Sequence, residues 1–348
     1  MSLVRAGSGE TLMLREAREA PEAVARLIAA NEPACRALGA RLRAAAPPFA
    51  VTGARGSSDN AATFAKYLFE IRLGVVTASV GPSVRSIYAA APRMEGALFL
   101  AISQSGRSPD LLELAEAARA GGALTVALVN DTTSPLAALC ETVLPLHAGA
   151  EQSVAATKTF IAALAAVLQL AAHWSGDARL LAAVARLPDD LAAARALDWS
   201  AALPLIAKAA HLYVVGRGIG FGLAQEAALK LKETAGLHAE AVSAAELMHG
   251  PLALAGPECP VLAFGQADAA ERGLVELARR LGGRGVPVAL AGLTAPGALA
   301  LPSVAGIDPH AAPIALAQAF YPLAEAAARA RRRDPDRPPH LSKVTETR

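Results

Sequence analysis

One pattern occurs twice, half a chain apart, and limits what this sequence can fold into. Phe49-Ala50-Val51-Thr52-Gly53 is a short apolar run that ends in glycine, passes a polar turn and enters a helical stretch reaching Arg72. His211-Leu212-Tyr213-Val214-Val215-Gly216 does the same, with a glycine-rich turn and a helix over Leu223–Thr234 behind it. A short run without polar alternation suits a strand buried on both faces, and the glycine lets the chain turn sharply into the helix. That is the opening of a βαβ unit, and hence of a parallel sheet. In the first half, Val75–Val80, Ala97–Ser103, Thr125–Asn130 and Thr142–Leu146 read as further strands, with helices such as Pro109–Ala120 between them. In the second half, Pro260–Gly265, Val286–Ala291 and Leu299–Val304 follow. The halves read as an internal duplication. Around them, residues 10–46 and Thr157–Trp174 read as helical, and Asp177–Pro204 as a polar connection punctuated by proline. Asp334–Arg348, with three prolines, reads as an extended tail.

Composition supports two domains, since 348 residues exceed one ordinary domain. Hydrophobic residues make up 53% of the chain and aromatic residues 4%, so alanine, leucine and valine fill the core. Charge is balanced at a formal +2, which argues against a dedicated nucleic-acid binder. Cys35, Cys140 and Cys259 are isolated, so neither a disulfide framework nor a structural metal is expected. Met1–Gly7 lacks the apolar core of a signal peptide, and no uninterrupted apolar stretch is long enough to span a bilayer. The expectation is a soluble cytoplasmic α/β enzyme.

The sharpest local signal is Ser103-Gln104-Ser105-Gly106-Arg107-Ser108-Pro109, between an apolar strand and a helix. A strand's C-terminal end meeting a helix N-terminus aims backbone N–H groups and the helix dipole at a ligand, which suits an anion. Ser108 before Pro109 is also an ordinary helix cap. The other serines and Gln104 exceed what capping needs, and favour a phosphate cradle. Gly53-Ala54-Arg55-Gly56-Ser57-Ser58 is a second such turn, on the same sheet edge. Gly216–Gly222 departs from the dinucleotide fingerprint, because Phe221 stands where its third glycine belongs. A tight turn with close helix packing is preferred there, and a nicotinamide-dependent dehydrogenase is the weaker alternative. Glu226, Lys230 and Glu233 fall at i, i+4 and i+7, so they share a helix face. Such a stripe is usually solvated. The chain has only six lysines, however, and a lysine kept beside a glutamate suits a general base. His249 sits in the turn Met248-His249-Gly250-Pro251, where a group titrating near neutrality suits sugar-ring opening.

Together these stretches resemble the sugar isomerase (SIS) superfamily, with the nearest likeness to the isomerase half of glucosamine-6-phosphate synthase and its free-standing relatives. The likeness rests on Gly53–Ser58, Ser103–Ser108, Val154–Lys158, Glu226–Glu233, His238–Ala241, Glu246–Pro251 and Leu341–Thr345, in that order. It implies an α/β fold of two tandem SIS domains, each a doubly wound five-stranded parallel sheet flanked by helices, over residues 39–182 and 200–333. A helical segment over 1–38 would precede them, and an active-site tail over 334–348 would follow. It implies a homodimer with no metal or redox cofactor. Ser103, Gln104, Ser105 and Ser108 would hold a sugar phosphate, with Ser57, Ser58, Val154 and Ala155 near the sugar. Glu233 would move a proton between C1 and C2, and Lys230 would polarise the adjacent oxygen. His249, reaching across the dimer, would open the ring, and Lys343 would approach the open-chain carbonyl.

The sequence also departs from the family's pattern. Arg55 stands where cysteine is usual, Arg107 where glutamate is usual, Ala156 where serine is usual and Met248 where lysine is usual. Arg107 is expected to add a cation to the phosphate site. Too few residues precede the first SIS domain for a glutaminase domain. The expected function is therefore deamination of glucosamine 6-phosphate to fructose 6-phosphate and ammonia. The alternatives are a plain aldose–ketose phosphosugar isomerase, a fructosamine-phosphate deglycase, or a non-catalytic sugar-phosphate sensor. No helix-turn-helix or basic arm supports a nucleic-acid partner, and no membrane partner is expected.

Overall fold

The computed structural model describes residues 9–343. Helices α1 (Leu12–Arg18) and α2 (Ala20–Ala45) open the chain. The first alternation is β1 (Ala50–Gly53), α3 (Ser57–Leu73), β2 (Thr77–Ser79), α4 (Ser83–Ser86), β3 (Leu98–Ser103), α5 (Pro109–Ala120), β4 (Leu124–Val129), α6 (Pro135–Leu139) and β5 (Thr142–Pro145). Next come α7 (Lys158–Ser175), α8 (Ala178–Arg195) and α9 (Leu203–Lys208). The second alternation is β6 (His211–Gly216), α10 (Phe221–Ala235), β7 (His238–Ser243), α11 (Ala244–Leu247), β8 (Val261–Phe264), α12 (Glu271–Gly282), β9 (Val288–Ala291) and β10 (Leu299–Leu301). Helix α13 (Ala312–Ala330) follows.

Each alternation builds one parallel five-stranded sheet, in the orders β2-β1-β3-β4-β5 and β10-β9-β8-β6-β7. Taken from the β7 edge, the second order repeats the first, so both sheets share one doubly wound topology. In both, the order reverses beside the first strand. The loops after β1 and β3, and after β6 and β8, therefore flank the crevice where such sheets bind ligands.

The chain divides into two compact units that do not follow chain order. One comprises Ala20–Ala150 and Lys158–Pro188; the other gathers 9–19, Glu151–Thr157 and Asp189–Lys343. In the first unit, Phe99, Leu111, Leu114, Val129 and Leu136 fill the core on one side of the sheet, and α2 and α3 pack on α7. Seventeen of the residues of α7 are buried, from Lys158 to Trp174, which its alanine-rich sequence permits without crowding. In the second unit, Val215, Val261, Leu274, Leu277 and Leu290 form the corresponding core, and α13 packs on α10. Among the described residues no helix is long and apolar enough to cross a membrane.

Two expectations are corrected. The proline-punctuated stretch after Asp177 contains a full helix, α8, with Pro188 inside it. Leu180, Val184, Leu187 and Leu191 recur at helical spacing and are buried, so side-chain burial outweighs the hydrogen bond that proline cannot donate. The second sheet also gains β7, which the sequence reading left without a strand. Its His238 and Glu240 are exposed, and an edge strand can present such residues to water.

Candidate active site

The crevice of the first unit lies between the loops after β1 and β3. Ser57 and Ser58 stand half-buried in the first turn of α3. Ser103 ends β3, and its Oγ accepts from Gly106 N–H at 3.0 Å, curling the loop back on itself. Gly106 has φ +62°, and a Cβ there would lie 2.2 Å from Ser134 Oγ, so only glycine fits. Ser105 Oγ accepts from Arg107 N–H at 3.4 Å. Ser108 holds the N-cap position of α5, yet its hydroxyl makes no capping hydrogen bond. Gln104 is half-buried beside it. Hydroxyls not committed to capping, a tight glycine turn and a helix N-terminus thus meet at one sheet edge. Arg107, expected to add its cation here, is instead paired with Asp131 at 2.8 Å. Hydrogen bonds from the Thr133 side chain and from Arg107 pull the Asp131 carboxyl down to about 2.

In the second unit, α10 brings Glu226, Lys230 and Glu233 together. Lys230 Nζ donates to Glu233 Oε2 at 2.5 Å and lies 3.6 Å from Glu226 Oε1. This stripe is not solvated. The Glu226 side chain is 0% exposed, that of Lys230 1%, and only Glu233 opens to solvent, at 22%. Burial works against the Lys230 charge, but the Glu226, Glu233 and Glu151 carboxylates together outweigh it and raise the pKa above the ordinary lysine value. Tyr321 of α13 donates to Glu226 Oε1 at 3.4 Å. Burial, then the Glu226 charge, holds the Tyr321 hydroxyl well above its usual pKa, so it stays a donor.

The same unit holds the segment containing Val154, half-buried, and Ala155, buried. Two buried carboxylates shape it. Glu16 accepts from Gln152 N–H at 2.5 Å and Ser153 N–H at 3.1 Å, and Glu151 Oε1 accepts from Thr157 N–H at 2.9 Å. Lys343 reaches this segment from the tail, donating to Glu151 Oε2 at 2.9 Å and Ser153 O at 2.7 Å. His249 is exposed in the turn after α11, and no hydrogen bond or ion pair joins it to the α10 cluster among the described residues. Sequence reasoning missed Glu151 and Glu16. Glu151 lay beside the Val154–Lys158 motif, but a lone glutamate in a loop carries no spacing signal; Glu16 looked like one more charge in a helix. Among the described residues no cluster of His, Cys, Asp and Glu is arranged to hold a metal ion.

Comparison with known proteins bears on this arrangement. A family model for the SIS domain matches residues 50–173 and 205–321. The isomerizing glutamine–fructose-6-phosphate aminotransferase of Aeropyrum pernix is 35% identical over 359 residues, taking in 95% of this chain and 56% of that protein. The corresponding protein of Zymomonas mobilis is 33% identical, over 83% of this chain and 50% of its own. The chain spans about half the length of the curated relatives it matches. Among solved structures, a proposed phosphosugar isomerase from Silicibacter pomeroyi DSS-3 has a TM-score of 0.90 at 43% identity, covering 94% of this chain and 100% of that one. A glucosamine-6-phosphate deaminase from Thermotoga maritima shares the fold, with a TM-score of 0.78 at 20% identity over 97% of this chain and 100% of its own.

Proposed function

The chain belongs to the SIS domain family, and from that membership we propose that it is an amino-sugar-phosphate isomerase that releases ammonia from glucosamine 6-phosphate. The observation that carries this reading is the buried Lys230 bonded to the partly open Glu233. A carboxylate on a rigid helix, held by a fixed ammonium, suits a proton shuttle.

The reaction runs in three stages. His249, supplied by the second copy of a homodimer, opens the pyranose. Glu233 takes the proton from C2, giving an enolamine, and returns a proton to C1. Lys230 stays protonated and stabilises the oxygen that gains charge. The resulting C2 ketimine adds water and expels ammonia, leaving fructose 6-phosphate. Ser103, Gln104, Ser105 and Ser108 hold the phosphate, Ser57 and Ser58 contact the sugar, and the Val154–Ala155 segment lines it. Lys343 positions the open-chain carbonyl end. The reading places the enzyme in the cytoplasm, where phosphorylated sugars are made.

The experiment supplies glucosamine 6-phosphate without glutamine and follows ammonia, fructose 6-phosphate and solvent-deuterium exchange at C2. All three are expected. Glu233→Gln should lower kcat by about 100-fold or more while sugar-phosphate binding survives. The Silicibacter likeness favours a second reading, an aldose–ketose isomerase of non-aminated sugar phosphates. That reading predicts C2 exchange with hexose 6-phosphates and no ammonia. Neither exchange nor ammonia from any phosphosugar would sink both.

A further inference from the structure

Arg55 has no part in the chemistry above, yet it stands at the mouth of the first unit's crevice. It follows β1 by two residues. Its Nε and Nη2 both donate to Asp110 Oδ2, at 3.0 and 2.6 Å. Asp110 lies in the first turn of α5, two residues past Ser108. The pair therefore spans the crevice, from the loop after β1 to the helix whose N-terminus faces it.

The pair is lopsided. The Asp110 side chain is 0% exposed and that of Arg55 is 46% exposed. The negative charge lies inside and the positive charge outside. A guanidinium presents its N–H groups in one plane, and here one edge is spent on Asp110. Among the described residues Nη1 makes no hydrogen bond, so the opposite edge stays open. Asp59 also faces this cation. Burial raises its pKa, and Arg55 and a hydrogen bond from Ser79 lower it in part.

The rest of the crevice offers neutral donors: serine hydroxyls, the Gln104 amide and backbone N–H groups. A phosphomonoester carries nearly two negative charges at neutral pH. Hydroxyls recognise its shape but do little to separate it from uncharged groups of similar size, whereas a fixed cation does. Resting on the phosphate reading above, we propose that Arg55 is the charge-selecting residue of the crevice: Asp110 grips one edge of its guanidinium and leaves the other to bind the phosphate dianion. The pairing has a second consequence. Without Arg55, the Asp110 carboxylate would lose this cation in the first turn of α5, close to the incoming dianion.

Calorimetric titration of the full chain with inorganic phosphate, with fructose 6-phosphate and with fructose tests this without using turnover. Wild type is expected to bind the first two and to discriminate strongly against fructose. Arg55→Met should weaken both phosphate ligands by about tenfold to a hundredfold. Arg55→Lys, which keeps the charge without the planar fork, should fall between them and guards against misfolding of the methionine variant. Arg55→Met combined with Asp110→Asn should remain weak. Full recovery in that double variant would show that Arg55 only neutralises Asp110, and would overturn direct contact. Phosphate affinity unchanged in folded Arg55→Met and Arg55→Lys would overturn the proposal while leaving the crevice reading intact. Wild type that binds neither phosphate ligand would overturn the crevice reading itself.

Discussion

Lys230 is an ammonium with 1% of its side chain exposed, and the carboxylates of Glu226, Glu233 and Glu151 make it tolerable there. Taking the cation away leaves the fully buried Glu226 without its ammonium partner. Lys230→Met should therefore cost about 3–5 kcal/mol of stability, seen as a lower urea midpoint at unchanged slope. A loss under about 1 kcal/mol would mean that Glu226 is neutralised in another way. The pH dependence has a definite sign. The folded-state pKa of Lys230 lies above the unfolded value of 10.5, so its stabilising contribution is complete below that pH and is lost as the pH rises through the folded value. On the alkaline side, the gap between wild type and Lys230→Met should therefore stay flat from neutral pH upward and shrink only as the pH rises through the folded Lys230 value. The spacing of these charges was legible in the sequence. Their burial was not, since i, i+4 and i+7 describe a solvated stripe equally well.

At the scale of elements, the tail after α13 illustrates the same divide. Its prolines mark an extended segment, and proline count says nothing about attachment. The structure ties it down at two points. Asp336 accepts from Leu12 N–H at 2.7 Å and Met13 N–H at 2.8 Å, capping the start of α1, and Lys343 pairs with the buried Glu151. The remaining positions, Val344–Arg348, which include part of the Leu341–Thr345 motif, lie outside the described residues. Deleting Leu341–Arg348 takes Lys343 away from Glu151, although the serine crevice keeps all its groups. Turnover should fall by about tenfold or more while phosphate affinity changes by less than about threefold. Hydrogen exchange at 334–340 should also rise. Equal losses in turnover and phosphate affinity would assign the tail to general stability instead. Helix α8 and strand β7 escaped the sequence reading for a related reason. Pro188 and the charges of β7 are unfavourable signs locally, and only the neighbours that cover one face of each element reverse them.

At the scale of the whole molecule, the proposed homodimer would let the exposed His249 serve the other copy's site. If each site takes its histidine from the other copy, His249→Asn and Glu233→Gln chains are separately inactive but complement each other. Random mixing places one site with both residues intact in each mixed dimer, so about a quarter of wild-type activity should return. No recovery, from chains shown by light scattering to have exchanged, would rule out a histidine supplied across the dimer, and a fully active His249→Asn chain would place His249 outside the reaction. The sequence by itself determined what depends on near neighbours: two rounds of strand, glycine turn and helix, a serine-rich loop ahead of Pro109, and three charges on one helix face. These are legible because the side-chain period and the turn residues act within a few positions. Tertiary structure alone decided which charges leave water. Glu151 meets Lys343 across 192 positions, and Glu16 holds Ser153 across 137. Such pairings depend on where the sheets and helices deliver the chain, and no local pattern encodes them, because a carboxylate in a loop looks the same in sequence whether it faces solvent or a buried amine.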